Sequence, residues 1–210
     1  MSDSHDRVTH WETVHATREP TAVSWYQPVP RRSLEWTAAT GLALDAPLLD
    51  VGAGASTLVD HWLTAGHTDV SMLDIASAAL ERSRARLGVA AASVEWIVSD
   101  VTTFRPTRRY ALWHDRAVLH FLIDPVSREE YLDTLRAALM PGGDVILATF
   151  GPDGPLRCSG LPVQRYGVDE LSALLGPAFT LRRDALDEHV TPSGGRQQFQ
   201  YGWWRRQRET

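Results

Sequence analysis

The chain has 210 residues, a single cysteine and a formal net charge of −5. That is enough for one α/β body with a substantial core, and too few cysteines for a disulfide framework or a multi-cysteine zinc site. All 21 basic residues are arginine, which excludes chemistries that need a lysine: the pyridoxal Schiff base, the phosphate lysine of a Walker loop and the base of Ser-Lys hydrolases. The arginines are scattered or paired, as in Arg31-Arg32 and Arg182-Arg183, with no basic stripe to suit duplex nucleic acid. No apolar run is long enough to span a membrane, and no basic-then-apolar start reads as a secretory signal. The expectation is a cytoplasmic protein with no nucleic-acid or membrane partner and no metal.

Residues 1–6 are polar. Val8 to Arg18 has helical spacing, with Val8, Trp11, Val14 and His15 toward one face, and Pro20 ends it. The proline-bounded segment Ser24 to Pro30 carries Trp25 and Tyr26 and cannot be helical throughout. Ser33 to Gly41 is a second helix, so residues 1–46 read as an N-terminal helical extension, or lid, ahead of a single body over 47–210. In the body, strands are expected over 47–51, 69–74, 94–99, 110–114 and 144–150. They alternate with helices over 56–65, 76–87 and 127–139, and a short one near 117–122. Gly66 and Gly88 stand where helix C-caps belong, and Pro141-Gly142-Gly143 reads as a turn into the fifth strand. Residues 151–166 read as a loop and 168–175 as a helix. Strands over 179–185 and 198–204 are joined by a turn containing Thr191 to Gly195. The alternation predicts a Rossmann-like, doubly wound, seven-stranded sheet, mostly parallel, with an antiparallel C-terminal edge hairpin.

The most informative stretch is Leu48 to Thr57. An apolar run ends at Asp50, and two glycines one residue apart, Gly52 and Gly54, lead through Ser56 into a helix. Glycine permits the turn and leaves no Cβ between backbone and ligand, while the N–H groups of the helix start point into the crevice. Asp74 follows about 20 residues later at the end of the second strand, a position suited to ribose hydroxyls. The dinucleotide pattern G-x-G-x-x-G is not met, because Thr57 stands at its third glycine.

Asp50, Gly52, Gly54 and Asp74 resemble the nucleotide-binding half of class I S-adenosylmethionine-dependent methyltransferases, as do Val98-Ser99-Asp100-Val101, Asp115-Arg116 and Pro141-Gly142-Gly143. The resemblance covers roughly Pro47 to Phe150, and Ser56 stands where the family often has a third glycine. It implies S-adenosylmethionine as cofactor and S-adenosylhomocysteine as product. Asp50 would orient the cofactor's amino group, directly or through water, and Gly52 and Gly54 would let the backbone approach its methionine part. Asp74 would take the ribose hydroxyls, a role that competes with capping the 76–87 helix. Asp100 would take the adenine amine, the Val101 N–H a ring nitrogen, and Ile75 the adenine face. Asp115 and Trp25 complete the expected cofactor contacts, with Trp25 and Tyr26 as candidate lid residues.

For the reaction, the segment Leu112 to Phe121 is the one beside the crevice. It lacks the acid-or-amide, double-proline, aromatic pattern of nucleobase and glutamine methylation. Asp115-Arg116 resembles the thiopurine-type and tellurite-resistance-type methyltransferases, and His10-Trp11-Glu12 and Trp25-Tyr26 resemble both that group and a set of small protein-lysine methyltransferases. His120, Asp115 and Arg116 are the candidate catalytic residues. His120 is either a general base or a helix histidine packed on its neighbours. Arg116 either pairs with Asp115 or holds an anionic substrate group by its planar fork. The expected activity is methyl transfer to an S, N or O nucleophile of a small molecule by a monomer or homodimer. A protein lysine is the alternative acceptor, and a nicotinamide-dependent oxidoreductase is the alternative class.

Overall fold

The computed structural model describes residues 4–208. Two helices come first, α1 (Ser4–Thr17) and α2 (Arg31–Ala39). The body then alternates β1 (Leu48–Val51), α3 (Leu58–Thr64), β2 (Val70–Asp74), α4 (Ser77–Leu87), β3 (Val94–Val98) and β4 (Tyr110–Arg116). It continues with α5 (Pro125–Ala138), β5 (Leu139–Phe150), a small hairpin of β6 (Arg157–Cys158) and β7 (Leu161–Pro162), α6 (Val168–Leu175), β8 (Phe179–Val190) and β9 (Arg196–Arg206). The seven-stranded sheet has the order β3-β2-β1-β4-β5-β9-β8. Pairs among the first five strands are parallel, and β9 runs antiparallel to both β5 and β8. The order reverses at β1, so a crevice opens beyond the C-terminal ends of β1 and β4.

Each sheet face buries one core. Trp113, Tyr131, Leu135 and Trp204 pack on the side of α5 and α6. Trp36, Trp62, Leu112, Ile146 and Phe199 pack on the side of α2 and α3. Burial on both faces is why β1 and β2 are apolar without alternation. Helix α5 starts where its cap and proline put it: the Asp124 carboxylate accepts the Ser127 N–H at 2.9 Å and Pro125 opens the first turn. Gly88 caps α4 at φ 56°.

Two segments differ from expectation. Pro141-Gly142-Gly143 lies within β5, opposite a register shift in β4 between Tyr110 and Leu112, with Gly142 at φ 79°. The expected loop over 151–166 contains the β6–β7 hairpin, whose turn residues Ser159 and Gly160 both have positive φ (49° and 81°). A two-residue hairpin turn requires that conformation. Among the described residues, no helix is long and apolar enough to cross a membrane.

Candidate active site

One cavity lies at the strand ends. Asp50 on β1, Gly52, Gly54 and Ser56 in the turn after it, Asp74 and Ile75 at the end of β2, and Asp100 and Val101 after β3 all line it. Gly52 and Gly54 have φ of 61° and 54°, the left-handed region that glycine occupies at no steric cost. A Cβ on Gly52 would stand 1.9 Å from Val118 Cγ2, so the turn admits no side chain there. The Ser56 hydroxyl accepts the Leu58 N–H at 3.1 Å and steadies the start of α3.

Asp74 is buried and accepts two backbone N–H groups at 2.8 Å, from Gly54 and from Ala76. It therefore ties the glycine turn to the start of α4, and each of its oxygens keeps a lone pair for another donor. Burial raises its carboxyl to about 6, against the pull of the Ala76 and Gly54 N–H groups and with the Asp50 and Glu12 charges adding to the rise. Asp100 accepts the Arg7 guanidinium at 2.7 Å and the Thr102 N–H and hydroxyl at 3.0 and 2.8 Å. Burial pushes its carboxyl up, and those bonds together with the Arg7 charge more than offset this, so it stays below the usual range.

Parallel register sets His114 on β4 directly opposite Asp50 on β1. The pair forms a buried relay: His114 Nδ1 lies 2.7 Å from Asp50 Oδ1, and His114 Nε2 lies 2.8 Å from the Ser33 hydroxyl on α2. All three residues line the cavity. With the Asp50 carboxylate accepting from Nδ1–H, Nε2 is left to accept the Ser33 hydroxyl, so the relay fixes one tautomer. Sequence reasoning put His114 beside the crevice without this role. The missing signal was the register of β1 on β4.

The three candidate catalytic residues separate. Asp115 is fully buried and outside the cavity lining. Its carboxylate accepts the Val118 and Leu119 N–H groups at 2.8 and 3.1 Å and the Tyr131 hydroxyl at 2.6 Å. These bonds hold the turn at Ala117, a non-glycine residue at φ 76°. Asp115 is thus a brace behind the site rather than a cofactor or substrate contact.

His120 is also fully buried and outside the lining; its Nδ1 accepts the Phe150 N–H at 3.2 Å and its ring packs on Phe121 and Phe150. Burial, with the Arg116 charge adding, pushes its imidazole down to about 3. It is a core histidine and does not face the cavity as a base. Arg116 alone of the three lines the cavity, and it makes no ion pair with Asp115: its Nε and Nη1 donate to the Tyr201 hydroxyl and the Trp25 carbonyl at 3.1 and 2.9 Å.

The N-terminal extension covers this cavity. Arg7, Trp11, His15, Trp25 and Tyr26 contribute to its lining. The Glu12 carboxylate accepts N–H groups of Ser77 and Ala78 at 2.6 and 3.1 Å, capping α4 from α1. The Trp11 ring stands edge-on to Trp25 and Phe121 at 5.9 and 5.0 Å. His15 faces Gly54, and burial, with the Arg82 charge adding and that of Glu12 opposing, lowers its imidazole to about 4. Arg7 and His15 as cavity residues were not anticipated, because nothing in α1 marks which of its polar residues turn inward.

Residues 48–143 match the family model described as a methyltransferase domain. No curated protein matches the chain by sequence. Among solved structures, an S-adenosylmethionine-dependent methyltransferase from Anabaena variabilis superposes with a TM-score of 0.75 at 17% identity, covering 99% of this chain and 96% of that one. The 1,6-didemethyltoxoflavin-N1-methyltransferase of Burkholderia thailandensis, solved with 1,6-didemethyltoxoflavin and S-adenosylhomocysteine, has a TM-score of 0.68 at 21% identity, covering 97% and 87%. A structure concerned with converting a disulfide into a thioacetal during echinomycin biosynthesis has a TM-score of 0.76 at 16% identity, covering 97% and 94%. Residues 48–143 thus match a methyltransferase domain, and the sheet order around them is the fold of the class I S-adenosylmethionine-dependent methyltransferases.

Proposed function

We propose that this enzyme methylates an S, N or O nucleophile of a small molecule. The observation that carries this reading is the covered cavity at the strand ends, in which β1, β2 and β3 present Asp50, Gly52, Gly54, Asp74 and Asp100 under α1 and the Trp25 segment. The residues suit S-adenosylmethionine: a bare glycine turn for its methionine part, the Asp74 and Asp50 carboxylates for its hydroxyl and amino groups, and apolar Ile75 and Val101 for a flat base. When bound, that molecule supplies a methyl group activated on a sulfonium sulfur.

The chain's residues then act by placement. Asp74 accepts the ribose hydroxyls with the lone pairs that the Gly54 and Ala76 N–H groups leave free. Asp50, aimed by His114, would take the amino group. Trp11, Trp25 and Phe121 close the cavity and keep water from the transfer, a step that gains more from alignment and desolvation than from charge. Of the two imidazoles on the cavity wall, His114 is engaged at both nitrogens by Asp50 and Ser33, and His15 is held neutral with a pKa of about 4 and is a weak base. The Cys158 thiol is pushed up to about 11 by burial and stays protonated. The site therefore suits an acceptor whose nucleophile arrives unprotonated or loses its proton readily. Residues 4–46 act as the lid of a domain that begins at 47, and the small-molecule reading follows from how that lid narrows access.

Cell extract incubated with methyl-labelled S-adenosylmethionine and the enzyme tests the acceptor class. Label is expected in small solutes. A discrete labelled protein band would replace this reading with the protein-lysine one.

A further inference from the structure

Among the described residues, Arg116 is a cation without a counter-ion. Its Nη2 is buried and has no hydrogen-bond partner, while Nε and Nη1 are taken by two neutral oxygens, the Tyr201 hydroxyl and the Trp25 carbonyl. No carboxylate lies within ion-pair distance of it among the described residues, and Asp115, its neighbour in sequence, is turned to the other sheet face. The Phe199 ring lies 4.5 Å from its guanidinium carbon and supplies only the weak attraction of an aromatic face. Its charge is felt by His120, His189 and Cys158. A partly buried guanidinium with a donor left over is costly unless an acceptor completes it.

The topology says which side of the cavity this is. From β1, the sheet runs one way through β2 and β3, which carry Asp74 and Asp100, and the other way to β4, which carries Arg116 at its end. Arg116 and Cys158, from the segment after β5, thus lie across the glycine turn from Asp74 and Asp100. Around them the wall is aromatic, with Trp25 and Phe121. We infer that Arg116 anchors an anionic group of the methyl acceptor, a flat and largely apolar molecule bearing a carboxylate or similar planar oxyanion. The assignment rests on the proposed reading that Asp74 and the glycine turn hold the methyl donor. It gives Arg116 the role of fixing the acceptor's orientation through its fork, with Nη2 as the free prong.

The test uses benzoate and its neutral isostere benzamide as probes, titrated into the S-adenosylhomocysteine complex and followed by tryptophan fluorescence. Wild type is expected to bind benzoate at least about tenfold more tightly than benzamide, a ratio equal to about 1.4 kcal/mol. Arg116→Met is expected to lose that preference, and Arg116→Lys, which keeps charge without the fork, to retain part of it. Equal binding of the two probes to wild type, no detectable benzoate binding, or a preference that survives in Arg116→Met overturns the inference. So does a variant that weakens S-adenosylhomocysteine but leaves 5′-methylthioadenosine unaffected, since the anion would then be the donor's own carboxylate. Calorimetry of wild type with S-adenosylhomocysteine alone comes first; failure there removes the underlying reading itself.

Discussion

At the scale of single residues, the placement of a carboxylate decides what it does. Asp74 and Asp115 are both buried and both raised to about 6 by that burial, yet one lines the cavity and the other braces a turn behind it. For Asp74 the consequence is that its proposed ribose contact depends on pH. Above about 6 its ionised carboxylate offers lone pairs to hydroxyl donors, and below it one oxygen carries a proton and that acceptor is lost. S-adenosylhomocysteine affinity measured by calorimetry is expected to fall as pH drops through about 6. Asp74→Asn is expected to bind about tenfold more weakly and to lose the pH dependence. Unchanged affinity in that variant would displace the ribose from Asp74. A second test concerns Gly52→Ala, where the new methyl meets Val118 Cγ2 and the backbone is held at φ 61°. Left-handed geometry alone costs about 1–2 kcal/mol, so a lower melting temperature and loss of ligand binding are expected together. The glycines and the acids at strand ends were legible in the sequence because an apolar run tells where a strand stops. The choice among His114, Asp115, Arg116 and His120 was not. Strand β4 continues to Arg116, two residues beyond its expected end, and side chains alternate faces along it. That alternation turns His114 and Arg116 to the cavity and Asp115 away, and no local pattern announces it.

At the scale of elements, α1 is held to the body by polar contacts of Arg7 and Glu12 and by the aromatic cluster around Trp11. Arg7 pairs with Asp100, with side chains only 16% and 7% exposed, and Glu12 caps α4. Asp100 is the residue proposed to meet the adenine amine, and both of its oxygens already accept from Arg7 or Thr102, so the seating of α1 and that proposed contact would be coupled. Arg7→Ala is therefore expected to accelerate hydrogen exchange across residues 4–17 and to raise the S-adenosylhomocysteine dissociation rate measured by stopped flow. Exchange that stays as slow as in wild type would mean that Trp11 and Glu12 hold α1 without Arg7. The elements themselves were readable where two-sided burial made apolar runs, as in β1 and β2, and where caps and breakers bracket a helix, as Asp124-Pro125 brackets α5. They were misjudged at the sheet edge. Strand β8 runs on to Val190 past its expected end at Ala185, and most of its residues are exposed, including Arg182, Arg183, Asp184 and Glu188. An edge strand protected by charge carries no alternation to read.

At the scale of the whole molecule, the buried titratable groups pull stability in opposite directions as pH changes. His15 and His120 titrate near 4 and 3 in the folded chain against 6.5 when unfolded. Between those limits the unfolded state binds the extra protons, so the stability they contribute is complete above 6.5 and is lost as pH falls toward their folded values. Asp74 and Asp115 have the reverse sign: folded values near 6 against 3.8 mean that the folded state holds the extra protons. Their contribution is complete below 3.8 and is lost as pH rises through 6. Across the window from about 4 to 6, these two pairs cancel to first order. The remaining slope comes from groups that acid only destabilises: the lowered imidazoles of His10, His67 and His189 and the lowered carboxylates of Glu12, Asp100 and Asp124. Wild type is thus expected to lose stability gently on acidification. Replacing His120 removes one proton from that balance, about 1.4 kcal/mol per pH unit at full effect. Urea unfolding of His120→Leu is expected to give a protein less stable at pH 7, because the Phe150 N–H loses its acceptor, but with a slope between pH 4.5 and 6 shallower than that of wild type by up to that amount. A slope equal to that of wild type would mean that His120 is protonated in the folded core, which its setting between Phe121 and Phe150 argues against.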